Sequence, residues 1–214
     1  MSRDWIEIAP FDALERLAEG NRRFVSDVRS RPARGSRASF RDLGGGQQPF
    51  AIVLGCSDSR VPVEIVFDQG PGDLFVIRVA GNIVAPSQIG SIEFAAEHFG
   101  TRLVVVLGHS DCGAVAATLE ELERPTEGRS PSLRSIVDRI RPSLESLFDS
   151  ELRHRGDALL HHAIRANIRA SVNQLRHGSQ LLERLVEEGQ LQIVGAEYSL
   201  TTGVVDVFEG GSTE

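Results

Sequence analysis

Two stretches, PFAIVLG at 49–55 and TRLVVVLGH at 101–109, run without interruption from apolar residues into a glycine and then into polar, ligand-type side chains. A short unbroken apolar run has no polar face to show to solvent. It reads as a strand covered on both sides, which is the habit of parallel sheets. DLFVIRVAG at 73–81 is a third strand of this kind, and LQIVGAEYSL (191–200) and GVVDVF (203–208) add two more across the turn TTG. Between them lie helix-patterned segments at 87–100, 112–123, 130–148 with a break at Pro142, 157–177 and 179–189. Gly ends and a proline inside the pattern mark where helices stop. Strands alternating with helices predict an α/β fold with a mostly parallel central sheet flanked by helices. The TTG turn allows the last strand to run antiparallel at an edge.

The N-terminal part differs in character. Residues 11–28 place Leu14, Leu17, Phe24 and Val25 at helical spacing, although Gly20 weakens the pattern. Residues 29–46, RSRPARGSRASFRDLGGG, are too rich in Arg, Ser and Gly to bury a core. They read as an extended arm, either wrapped on a partner subunit or loose. The expected organisation is therefore an N-terminal helix and arm over 1–46 on an α/β catalytic domain over 47–214, one domain overall.

Composition narrows the function classes. The chain of 214 residues is 41% hydrophobic and 25% charged, which suits a soluble globular protein. Its net charge of −7 excludes general nucleic-acid binding, which needs a basic face. All 23 basic residues are Arg. The start, MSRDWIEIAP, lacks the apolar core of a signal peptide, and LVVVLG is too short to span a bilayer. No membrane or nucleic-acid partner is expected, and the location expected is the cytoplasm. There the two cysteines are not expected to form a disulfide. Metal ligation, catalysis or simple burial remain for them.

Sites in such sheets form beyond the carboxyl ends of the strands. The first run ends in Cys56, and the other in HSDC, which supplies His109 and Cys112. If the two strands are neighbours, two thiolates and one imidazole converge. That donor set suits Zn²⁺, one per chain, with a fourth tetrahedral position left open, as in catalytic rather than structural zinc sites. A buried Cys is also a common small apolar residue, and a His at a strand end can simply cap a helix. Asp58 and Arg60, on the same loop as Cys56, sharpen the metal reading. A carboxylate beside a metal can accept from bound water or ligate the ion, and an Arg two residues on can hold it bidentately.

CSDSR at 56–60 together with HSDCGAV at 109–115 resembles the β-class carbonic anhydrases. The resemblance extends through ALERLAEGNRRF, DLFVIRVAGN, GSIEFAAEHFG and IVGAEYSLTTGVV, nearly the whole chain. It implies that Cys56, His109 and Cys112 ligate zinc and that Asp58 and Arg60 form an orienting dyad. It also implies that Gln47 contacts substrate, that Phe75 lines the CO₂ pocket, and that Gly113 leaves space and an N–H near the bound anion. One subgroup has a second, inhibitory bicarbonate site built partly on a Trp three residues before the first ligand. This chain has Val53 there, with Arg78 and Tyr198 at the other two positions.

The activity implied is reversible hydration of carbon dioxide to bicarbonate and a proton by metal-bound hydroxide, since zinc brings the pKa of bound water to about 7. Proton-shuttle candidates are His98, His154, His161, His162 and His177, and the sequence does not choose among them. Rival readings are hydrolysis of COS or CS₂ on the same scaffold, or a zinc-binding module without turnover. The module would favour four closed ligands and has no use for Asp58 and Arg60. The family also implies a homodimer or a multiple of dimers, with pockets at the subunit interface.

Overall fold

In the computed structural model, residues 8–28, 46–125, 128 and 130–211 are described. Five strands form one sheet: β1 Ala51–Gly55, β2 Leu74–Arg78, β3 Leu103–His109, β4 Gln192–Tyr198 and β5 Val205–Glu209. Their spatial order is β2-β1-β3-β4-β5. The first four run parallel, and β5 pairs antiparallel with β4 at the edge. The α/β fold expected from the sequence is thus the fold found, including the antiparallel edge.

The unbroken apolar runs are explained by cover on both faces. One layer joins Ile52, Leu54, Val104, Val106 and Ile193 to α3 (Pro86–His98), α4 (Gly113–Glu123), α5 (Pro131–Ile140), α7 (Gly156–His177) and α8 (Gln180–Glu187). The other joins Ala51, Val53, Leu103, Val105 and Val194 to α1 (Pro10–Val25) and the single turn α2 (Val63–Val66). Every residue of β1 and β3 is buried. Each fully buried Leu or Ile here contributes about 2 kcal/mol by leaving water.

Gly20, the apparent weak point of α1, is there for contact. A Cβ at this position would lie 1.9 Å from the carbonyl oxygen of Phe67. Helix and loop backbones therefore touch, and only glycine fits. Asn21, one residue on, is buried and donates from Nδ2 to the carbonyls of Val66 and Gly203, while its Oδ1 accepts the Val205 N–H. That single side chain fastens α1 to α2 and to β5.

The differences from the sequence expectation are local. The strand read at 73–81 stops at Arg78, because Gly81 (φ 69°) and Asn82 (φ 44°) turn left-handed. The helix read at 11–28 ends at Val25, with Asp27 at φ 53° beyond it. The break at Pro142 is present: α5 gives way to a 3₁₀ turn at Arg141–Ser143 and then to the short α6, Glu145–Phe148. Trp5 and residues 29–45 of the arm lie outside the described residues.

Candidate metal centre

Strands β1 and β3 are parallel neighbours, with Gly55 level with Leu107. The residue after β1 is Cys56, and the last residue of β3 is His109. Three residues on, Cys112 occupies the N-cap position of α4 without a side-chain capping bond. The turn between them is tight because Asp111 adopts φ 55°, a left-handed geometry that Asp tolerates better than most residues. Ser110 ties this turn to β4: its N–H donates to the Tyr198 carbonyl at 2.9 Å, and its hydroxyl accepts the Leu200 N–H at 3.0 Å.

One ligand atom from each of Cys56, His109 and Cys112 lies within 4.8 Å of the other two, and all three residues are buried. A tetrahedral ion with bonds of about 2.3 Å to sulfur and about 2.0 Å to nitrogen spaces such atoms about 3.5–3.8 Å apart. The cluster needs only small side-chain adjustments to meet that geometry. His109 is fully buried. Its Nδ1 lies 2.8 Å from the Ser110 carbonyl oxygen, which can only accept, so Nδ1 carries the hydrogen. In the neutral ring Nε2 is then left with its lone pair, and it has no hydrogen-bond partner among the described residues. A buried acceptor without a donor is costly. A lone pair facing two sulfurs fits a borderline or soft divalent cation.

The charges of the cluster are set by its neighbours. The hydrogen bond from Cys112 pulls the Cys56 thiol pKa far down, with the Gly81 N–H, 3.4 Å from its sulfur, adding to the effect against burial. Cys112 moves the opposite way, because it donates to Cys56 and is buried; the N–H groups of Val115 and Ala114 in the first turn of α4 oppose this. The shared hydrogen bond thus shifts the two sulfurs in opposite directions, Cys56 towards the thiolate and Cys112 towards the thiol. Burial works against a charge on His109, but the Cys56 sulfur beside it outweighs burial and the net shift is upward.

Asp58 and Arg60 meet as a bidentate pair. Nε of Arg60 donates to Oδ1 at 3.0 Å, Nη2 donates to Oδ2 at 2.7 Å, and the Arg60 backbone N–H adds a third bond to Oδ1 at 2.9 Å. These bonds hold the Asp58 carboxyl well below the usual carboxylate range. Its Oδ2 lies 3.9 Å from His109 Nε2, so the carboxylate borders the ligand cluster.

The other expected site residues are more dispersed. Gln47 is exposed just before β1. Phe75 lies on β2, beside Ile52, and packs near the rings of Phe94 and Phe99. Gly113 opens α4, and a Cβ there would meet nothing within 4 Å. His98 stacks on Phe94, His161 lies 3.6 Å from Glu197, and His177 lies 3.0 Å from Glu183. Val53 is buried within β1 and Tyr198 ends β4.

Two contributions are not visible in the sequence: the contacts of Arg78, named above only for a second bicarbonate site, and the N–H of Gly81. Arg78 donates from Nε to the Cys56 carbonyl at 2.9 Å and from Nη2 to the Asp58 carbonyl. It thereby grips the backbone of both Cys56 and Asp58. The Gly81 N–H reaches the Cys56 sulfur itself. Both act through backbone atoms, which leave no pattern in the sequence.

Comparisons with known proteins agree with this geometry. Residues 51–205 match the carbonic anhydrase family model. A carbonic anhydrase of Mycolicibacterium smegmatis is 40% identical over 202 residues, covering 92% of this chain and 93% of that protein. The β-carbonic anhydrase CcaA superposes with a TM-score of 0.75 at 27% identity, covering 92% of this chain and 95% of that one. A tetrameric β-carbonic anhydrase of Sordaria macrospora superposes with a TM-score of 0.66 at 26% identity, covering 79% and 85%. The chain belongs to the carbonic anhydrase family, in its β class.

Proposed function

We propose that the chain hydrates carbon dioxide reversibly to bicarbonate and a proton on one zinc ion per chain, held by Cys56, His109 and Cys112. The observation that carries the proposal is the buried lone pair of His109 Nε2, aimed at two sulfurs beside an ionised carboxylate. Three protein ligands leave an open coordination position, and zinc in such a site brings the pKa of its water to about 7. Ser110 fixes the His109 tautomer, so that Nε2 ligates. Arg60 holds Asp58 ionised, and Oδ2 accepts a hydrogen bond beside the ligand cluster without itself taking the proton. Arg78 fixes the loop on which Cys56 and Asp58 sit. Carbon dioxide is uncharged and needs only a dry apolar surface. We assign Phe75 to that surface, Gln47 to a polar contact with substrate, and Gly113 to the space and N–H beside the product anion.

We further propose that the chain works as a homodimer or dimer multiple in the cytoplasm, with residues 1–46 as an arm on the catalytic unit 47–214. The tetrameric state named for the Sordaria relative supports the oligomer. Among the described residues no helix is long and apolar enough to cross a membrane.

The test is elemental analysis together with stopped-flow hydration of carbon dioxide from neutral to alkaline pH, run beside COS. Zinc near one per chain with rapid, pH-rising hydration is expected. A zinc-loaded protein that turns over COS but not carbon dioxide would overturn the substrate assignment.

A further inference from the structure

Helix α7 crosses one face of the sheet on Ile164, Ile168, Val172 and Leu175, all buried. Within this apolar stripe lie two polar side chains one turn apart, Asn167 at 2% exposure and Ser171 at 4%. Burying an amide and a hydroxyl among aliphatic groups is unfavourable unless each finds a partner. Both find it in the same place. Asn167 Nδ2 donates to the Gly81 carbonyl at 2.8 Å, and Ser171 Oγ donates to the Asn82 carbonyl at 3.1 Å.

The segment they hold is the 3₁₀ turn Ala80–Asn82 that follows β2, with two successive residues in the left-handed region. The peptide joining Gly81 to Asn82 is bonded at both ends: its N–H donates to the Val79 carbonyl at 3.1 Å, and its carbonyl accepts from Asn167. Val79 is itself tied to β1, its N–H donating to the Gly55 carbonyl. With that peptide fixed, the preceding Gly81 N–H is directed at the Cys56 sulfur, 3.4 Å away. A side chain at Gly81 would lie 2.8 Å from Ile140 Cδ1 and 3.1 Å from the Ala114 Cβ, so the turn is also packed tightly from outside.

We infer that Asn167 is a positioning residue of the metal centre, holding the 80–82 turn so that the Gly81 N–H donates to the Cys56 sulfur. Ser171 supports the turn one peptide further away. The inference rests on Cys56 being a metal ligand, as proposed above. A sulfur that accepts an N–H bond passes less charge to the metal it binds. Partners of this kind orient a ligand and tune the ion, and their loss typically changes metal affinity by about 10–100-fold.

The experiment compares cobalt-loaded wild type, Asn167→Ala and Ser171→Ala. In Asn167→Ala the thiolate-to-cobalt absorption band moves to lower energy, and cobalt is released to a chelator about 10–100-fold faster. In Ser171→Ala the melting temperature falls but the band stays in place. Asn167→Ala with an unmoved band and wild-type release would overturn the inference. Should Asn167→Ala not fold, wild type loaded with NMR-active cadmium decides: the Gly81 amide proton couples to cadmium through sulfur, and absence of that coupling overturns the inference. Wild type that takes up cobalt with no thiolate band would instead refute Cys56 as a ligand.

Discussion

Replacing Arg60 by Ala separates a structural from a functional reading of the Asp58–Arg60 pair. The Arg60 side chain is 53% exposed and that of Asp58 19%. An ion pair so placed is screened by solvent, and it contributes little to folding. The melting temperature should therefore hardly move. Catalytically the loss should be much larger. Two parallel bonds from one guanidinium fix both oxygens of Asp58, and without them Oδ2 no longer holds its place 3.9 Å from His109 Nε2. A misplaced catalytic carboxylate costs on the order of 10²–10⁴ in rate. Arg60→Lys keeps the charge but cannot make both bonds, and it should recover little. The pH dependence of stability has a definite sign. The folded-state pKa of Asp58 lies below its unfolded value, so the contribution of the pair is complete above that unfolded value, about 3.9. The stability gap between wild type and Arg60→Ala is therefore full at neutral pH and closes as pH falls below about 4. The assay is stopped-flow hydration on protein of verified metal content, with thermal melts in parallel. Metal-replete Arg60→Ala turning over within about twofold of wild type would refute the role of the dyad.

Cys112→Ser is nearly isosteric but replaces a soft ligand with a poor one, and elemental analysis should find metal content reduced at least about tenfold. Gly20→Ala drives a methyl to 1.9 Å from the Phe67 carbonyl oxygen, and neither backbone can yield easily. It should cost about 3 kcal/mol, or about 6–12 °C by calorimetry. Arg165→Leu removes the guanidinium that bonds Glu197 at 2.7 Å and also reaches Asp206. Glu197 is 7% exposed and would be left beside His161 without its guanidinium; chemical denaturation should show a loss of about 1–3 kcal/mol.

What the sequence discloses and what it hides divide along a physical line. Strands β1 and β3 are legible because cover on both faces demands unbroken apolar runs, and they end where those runs end. Cys56, His109 and Cys112 are legible because their chemistry is in their side chains and their spacing follows the strand ends. Helix α2 is not legible, since four residues are too few to show a period. The end of β2 is hidden too: LFVIRVAG continues apolar past Arg78, and only the left-handed Gly81–Asn82 pair turns the chain away. Gly20 misleads for a similar reason. In sequence it is a poor helix former, while in space it is the point where two backbones meet. Arg78 was visible as a residue, but its targets are the carbonyls of Cys56 and Asp58, and which carbonyl an arginine reaches depends on register between strands.

That register also explains why the polar groups stand at the centre of the sheet and not at its rim. Cys56 directly follows β1, and it is braced by Arg78, at the end of the outer strand β2, on its carbonyl and by the N–H of Gly81, in the turn after β2, on its sulfur. His109 ends β3, and the turn after it is braced from the other side by β4, through the bond from the Ser110 N–H to Tyr198 and that from the Leu200 N–H to the Ser110 hydroxyl. In the order β2-β1-β3-β4, each of the two strands that lead to the candidate ligands thus has one neighbour that shares the site and another that acts as a strut. A ligand on an edge strand would lack the strut, and its side chain could relax by more than the few tenths of an ångström that a metal site tolerates. The costly burial of an imidazole nitrogen without a hydrogen-bond partner and of two cysteine side chains is sustainable here because the backbones of Cys56 and of the turn after His109 are hydrogen-bonded to strands already packed into the core.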